Sequence, residues 1–167
     1  MLEIAIEADG EWDSSSGWDR LARTAAAAAI AESAFPQLDS SDRTVELSVR
    51  LTSDAEVHAL NAEWRGKDKP TNVLSFPMAE PEQLEQAAAP GPELMLGDIV
   101  LAHGVCAAEA SDKGVSLDQH AAHLMVHGTL HLLGYDHMDD ASAADMEARE
   151  IRALGRMGIA DPYDGQT

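Results

Sequence analysis

The sequence predicts an α+β fold, with about four strands in one sheet flanked by helices, forming a single domain over residues 1–167. Three observations lead there. Four short segments have strand character, helical periodicity fills the stretches between them, and beyond Ala102 the pattern is helical throughout. The length suffices for one substantial core. The apolar content of 45% is ordinary, but much of it is alanine and only 4% of residues are aromatic, which favours closely packed helices on a modest sheet.

Taken in order, LEIAIEA (2–8) alternates apolar and polar residues and forms the first strand. GWDRLARTAAAAAIAESAF (17–35) is a strong helix former, with Ser15 and Ser16 as caps and Pro36 closing it. TVELSVRL (44–51) puts Val45, Leu47, Val49 and Leu51 on one face of a second strand. Ser53 with Glu56 is a capping box that opens a helix ending at Gly66, and the KDKP that follows cannot be helical at its proline. NVLSFP (72–77) and LGDIVLA (96–102) are two further strands, joined by a Pro-, Glu- and Ala-rich loop from about Met78 to Glu93.

Three helices complete the chain. HGVCAAEASDKG (103–114) is the first. The second starts near Leu117, since Ser116 and Gln119 make another capping box, and ends at Gly134, a natural left-handed residue past a helix terminus. The third covers about 140–158, and the tail from Asp161 is expected to be loose. There is no internal repeat.

Charge restricts the function. With 11 basic and 30 acidic residues the net charge is −19, which repels nucleic acid at long range and gives no footprint of a general RNA or DNA binder. A well-solvated acidic surface explains it without any partner. No stretch is apolar enough to span a bilayer, and MLEIAIEADG lacks a basic segment followed by an apolar one, so a cytoplasmic location is expected with no membrane partner. The single cysteine, Cys106, can form no internal disulfide and reads as a small buried thiol.

The chemistry concentrates in HGTLHLLGYDH, residues 127–137. His127 and His131, four apart on a helix, leave the same face and can grip one ion. Gly134 then turns the chain so that His137 returns to it. Three histidines with a fourth position left for water describe a catalytic zinc site, one ion per chain, because closed structural sites use four ligands and often cysteines. The spacing matches the metzincin pattern HExxHxxGxxH at its three histidines and its glycine, so the central helix is zincin-like. Where a metalloprotease has its glutamate base, however, this chain has Gly128, which cannot move a proton.

The other histidines are less telling. His120 and His123 fall within about 40° of His127 on a helical wheel. His123 is a candidate for lining the site or orienting a ligand, whereas His120 and His58 are better read as packing or solvent residues. His103 is undecided. Asp136 is either a partner for a ligand imidazole or a turn residue, and no carboxylate is marked by spacing as a general base.

A basic island interrupts the acidic chain. Two of its three lysines lie in WRGKDKPTNVLSFP (64–77), where Arg65, Lys67 and Lys69 against Asp68 give +3 − 1 = +2 over five residues. Cations after a helix C-terminus complement its dipole, which accounts for part of this. Arg65 can also grip a phosphate in bidentate fashion, with Lys67, Lys69, Thr71 and Asn72 beside it. A phosphate-directed loop and a water-activating metal together suggest phosphodiester hydrolysis, with Arg65 and His127 as catalytic residues.

RGKDKPTNVLSFP, then GDIVLA, then AHLMVHGTLHLLGYDH resemble the hallmarks of the YbeY family over about Ser53–Tyr163. The resemblance implies a mixed sheet flanked by helices and a zinc-dependent endoribonuclease of rRNA maturation. It further implies single-stranded rRNA as substrate, near the 3′ end of 16S rRNA, and a role in ribosome quality control. By it His127, His131 and His137 match the zinc ligands and Arg65 the required arginine. A charge of −19 then implies weak intrinsic RNA affinity, with recruitment to ribosomal particles aided by ribosomal or assembly-factor proteins. Two rival readings are a zinc metalloprotease-like hydrolase, opposed by Gly128, and a non-catalytic ribosome-assembly factor whose metal is structural.

Overall fold

The structure, a computed structural model, describes residues 1–12, 17–87 and 89–163, so the caps expected at Ser15 and Ser16 lie outside the described residues. Four strands, β1 (Leu2–Ala8), β2 (Val45–Thr52), β3 (Val73–Pro77) and β4 (Leu94–Ala102), form one sheet in the order β1-β2-β4-β3. The first three in that order run parallel and β3 runs antiparallel to β4, so the sheet is mixed. Seven helices are assigned among the described residues: α1 (Trp18–Ala31), α2 (Gln37–Ser40), α3 (Asp54–Arg65), α4 (Pro81–Glu85), α5 (His103–Lys113), α6 (Leu117–Leu132) and α7 (Asp140–Arg156).

Alternation decides which face is buried. Val45, Leu47, Val49 and Leu51 of β2, together with Ile99 and Leu101 of β4, point into the main core under α1, α6 and α7. On α1 the residues Ala22, Ala25, Ala26 and Ala29 recur at helical spacing and are all buried, so their small side chains let the helix pack closely. Each fully buried Val or Leu in such a core contributes roughly 1.5–3 kcal/mol of transfer free energy. On the other face a smaller cluster, Val57, Leu74, Val100 and Ala102, sits beneath α3 and α5.

Three expectations are corrected. Ser53 Oγ accepts the Glu56 N–H, but the Glu56 side chain turns to Thr52 and Arg50, so the box expected there is only half formed. The loop from Met78 to Glu93 contains α4, because Pro81 suits a first helical turn and Leu84 is buried, as is Ala87 just beyond the helix. The tail from Asp161 is not loose as far as it is described. Residues 161–163 are half-buried, since the Tyr163 hydroxyl reaches an internal carboxylate.

Two glycines key the helix α6 onto the sheet. A Cβ on Gly128 would meet Ile99 Cγ2 at 3.0 Å, and a Cβ on Gly97, whose φ is +142°, would lie 2.2 Å from the Phe76 carbonyl oxygen and 2.9 Å from Leu132 Cδ2. Helix and strand therefore each offer a notch to a large side chain of the other. This reciprocal fit sets the depth of α6 and places its histidines.

Candidate metal centre

Both ends of α6 are closed by its own sequence. Ser116 Oγ accepts the Gln119 N–H at 3.1 Å while Gln119 Oε1 accepts the Ser116 N–H at 3.2 Å, the full capping box expected. At the other end Gly134 has φ +96°. The Gly134 N–H donates to the His131 carbonyl and the Tyr135 N–H to the Leu130 carbonyl, both at 3.0 Å, a Schellman turn. The chain reverses there and brings His137 back over the helix.

The three expected ligands do converge. His127, His131 and His137 can each offer a ring nitrogen such that all lie within 4.8 Å of one another. The Nε2 atoms of His127 and His131 face each other at 3.0 Å. That is the length of an ordinary N–H···N hydrogen bond, and two nitrogens about 2.0–2.1 Å from one shared ion can also lie that close. Burial, reinforced by the neighbouring His127 and His137, pushes His131 down to about 4, so it is neutral at physiological pH as a ligand must be. His127 and His131 are half-buried and His137 is exposed, which leaves one side of the cluster open to a water or a substrate.

Behind His127 lies a carboxylate that sequence spacing did not single out. Glu150 of α7 is fully buried; its Oε1 contacts His127 Nδ1 and its Oε2 accepts a 2.5 Å hydrogen bond from the Tyr163 hydroxyl. Burial alone would raise its pKa, but the adjacent His123, His127 and Tyr163 outweigh that and hold it down at about 2. An N–H on His127 Nδ1 can donate a hydrogen bond to this ionised carboxylate, in which case the lone pair lies on Nε2. Its signal in the sequence was a glutamate on the apolar stripe Met146, Glu150, Ala153 and Leu154 of an amphipathic helix.

The remaining histidines fall outside the ligand set. His123 approaches the Tyr163 hydroxyl at 3.3 Å through Nε2, and its buried Nδ1 has no partner among the described residues. His120 bonds Glu109 at 2.8 Å, His58 bonds Asp68 at 2.6 Å, and His103 packs edge-on against Trp12. Asp136 serves its turn, accepting the Met138 N–H. Gly128, the position of the peptidase glutamate, faces Ile99 in the helix–sheet seam. Cys106 is buried and its thiol is pushed up to about 12, an inert group.

The basic turn forms a second, separate feature. Arg65 is exposed, donates from Nη2 to the Ser75 carbonyl on the edge strand β3, and lies 5.4 Å from the Phe76 ring centroid. It contacts β3 rather than the histidines. Asn61, buried at 3% exposure, anchors the turn by donating to the Lys69 carbonyl at 2.8 Å, while Lys67 and Lys69 extend into solvent. Asn72 is half-buried, donating from Nδ2 to Glu109 Oε1 at 3.0 Å and accepting the Val73 N–H at Oδ1. Trp64 is 65% exposed and lines, with Phe76 and Met78, a groove of about 710 Å³ between α3 and the sheet.

Fold and site together define an α+β protein in which three histidines, two on the central helix and one in the turn beyond it, converge where they could hold a metal ion. Comparison with known proteins carries this further. The family profile described as Endoribonuclease YbeY matches residues 13–158, beginning well before the motifs that carry the resemblance. Endoribonuclease YbeY of Sphingopyxis alaskensis is 54% identical over 167 residues, 99% of each chain, and that of Rhizorhabdus wittichii is 49% identical over 98% of this chain and 97% of the relative. The solution structure of TM1509 from Thermotoga maritima has a similar fold, with a TM-score of 0.55 at 22% identity over 99% of each chain. The chain belongs to the YbeY family of endoribonucleases, and its enzyme class is that of a nuclease, a hydrolase.

Proposed function

We propose that residues 1–167 form one metal-dependent endoribonuclease domain that cleaves single-stranded rRNA, near the 3′ end of 16S rRNA, during rRNA maturation and ribosome quality control in the cytoplasm. The observation that carries this reading is the convergence of His127, His131 and His137 with one side open, in a chain of this family. Their all-imidazole donor set fits zinc, one ion per chain. When bound, such an ion supplies Lewis acidity, which acidifies a water and polarises a phosphoryl oxygen. His131 is kept neutral by burial, and Glu150 holds the proton of His127 on Nδ1.

Arg65 binds the RNA backbone. Its guanidinium rests on Phe76 and spends one N–H on Ser75, which leaves its other donors for a phosphate. Lys67 and Lys69 add charge to the same turn. The exposed Trp64 ring offers an unpaired base a surface on which to stack, which favours single strands over duplexes. With a net charge of −19, recruitment to ribosomal particles depends on ribosomal or assembly-factor proteins. Gly128 lies against Ile99, so the metalloprotease reading has no base at that position.

The test joins metal analysis to a cleavage assay on rRNA fragments, with casein as control, for wild type, His127→Ala and Arg65→Ala. Wild type should hold about one zinc and cut RNA but not casein; His127→Ala should lose metal and cleavage, and Arg65→Ala should keep metal and lose cleavage. Metal-independent RNA cleavage, or casein hydrolysis, would overturn the proposal. If chelation abolishes folding or ribosome association and no RNA cleavage is ever seen, the metal is structural and the protein is an assembly factor.

A further inference from the structure

Among the described residues Glu150 is the only buried carboxylate, in a chain with 30 acidic side chains. It occupies a position on α7 where its neighbours are Met146, Ala153 and Leu154, and where an apolar side chain would be the cheaper filling. Three groups surround it. His127 meets Oε1 through Nδ1, Tyr163 donates to Oε2, and His123 Nε2 lies 3.7 Å from the same oxygen. Tyr163 is itself presented by a turn in which Asp161 Oδ1 accepts the Tyr163 N–H at 2.8 Å. The chain's last described residues thus close over the back of the histidine helix and brace a charge that touches a candidate ligand.

We propose that Glu150, held in place by Tyr163, is a positioning residue for the metal centre, fixing the His127 imidazole as the tautomer protonated on Nδ1 with Nε2 directed at the ion. This rests on the metal reading above. It assigns to the segment Asp161–Tyr163 a part in building the site from behind. An imidazole whose far nitrogen donates to a carboxylate is a better electron donor and cannot rotate, so the ligand set is organised before the ion arrives. His123 completes the arrangement by donating from Nε2 to the Tyr163 oxygen, which in turn donates to Glu150.

The test uses full-length protein and zinc in competition with a chromophoric chelator. His131→Ala checks the metal site itself, and Glu150→Gln and Tyr163→Phe check the positioning. Glu150→Gln should weaken zinc about 10- to 100-fold and Tyr163→Phe less, about 10-fold or under. Both metal-free variants should melt close to metal-free wild type. Long-range ¹H–¹⁵N spectra of the metal-free protein should show His127 protonated on Nδ1 in wild type and a mixture of tautomers in Glu150→Gln. A purely structural glutamate would move the melting temperature without moving the tautomer. Should Glu150→Gln not fold, Tyr163→Phe, at a half-buried position, decides by the same two readouts.

If wild type binds zinc and the variants match it in affinity and tautomer, the positioning role is wrong and the metal centre stands. If wild type binds no more zinc than His131→Ala, the metal reading itself fails.

Discussion

Replacing Gly128 with alanine sets two effects against each other on the helix that carries His127 and His131. Alanine gains about 0.8–1.0 kcal/mol over glycine in a helix interior. The added methyl would sit 3.0 Å from Ile99 Cγ2 and 3.2 Å from both Cδ1 and Cγ1, tighter than ordinary carbon contact. Ile99 has little room to yield: it is 1% exposed, β-branched, and on a strand with neighbours on both sides. Overpacking of this kind costs about 1–3 kcal/mol. The difference is a net loss of roughly 0–2 kcal/mol, or a melting point lower by about 2–4 °C for each kcal/mol lost.

Urea unfolding of the metal-free protein measures the effect, and a double-mutant cycle identifies its source. Ile99→Ala removes all three clashing carbons and alone costs about 2–5 kcal/mol. Combined with Gly128→Ala it should lose less than the sum, by about 1 kcal/mol or more, because the new methyl enters the vacated space. The account of α6 as keyed to β4 is refuted if Gly128→Ala stabilises by the full helix-propensity gain, or if the two substitutions are additive. A glutamate at 128, the peptidase residue, meets the same wall and should impair folding rather than create a protease.

Three further outcomes are expected. Gly97→Ala should be more damaging than Gly128→Ala, by several kcal/mol or failure to fold, since its methyl meets backbone at 2.2 Å from the Phe76 oxygen and its φ of +142° strains any side chain; expression and thermal melting test this. Asn61→Ala should cost about 1–3 kcal/mol by leaving the Lys69 carbonyl unpaired, and should raise proteolysis of the basic turn while zinc binding stays unchanged. For pH, His131 has a folded pKa near 4, below the 6.5 of an exposed histidine, so the folded state binds fewer protons than the unfolded one between those values. Stability of the metal-free protein should therefore fall as pH drops from about 6.5 to 4, and zinc affinity should fall with it. A melting point flat across that range would contradict the burial of His131.

Local chemistry made much of this protein legible in its sequence. Four strands, the caps at Ser53 and Ser116, the turn at Gly134 and the His127, His131, His137 set all follow from residues close together in the chain, where local spacing fixes direction. Even there the reading was partial. Ser53 caps α3, but the Glu56 side chain turns away to Thr52 and Arg50 instead of completing the box. α4 hid in a proline-rich stretch, because five residues are too few to show a period.

What the tertiary structure decided are the relations between residues distant in the chain. Glu150 meets His127 from 23 residues away, and Tyr163 reaches Glu150 from beyond the end of α7. Neither contact has a spacing to read, since it depends on how α6 and α7 pack. Gly128 is the clearest case. By sequence it was a peptidase motif lacking its base, and only the 3.0 Å approach of Ile99 makes it the residue that lets the histidine helix lie against the sheet. Histidine spacing is a property of the local chain, but the depth at which those side chains are held belongs to the surfaces packed around them.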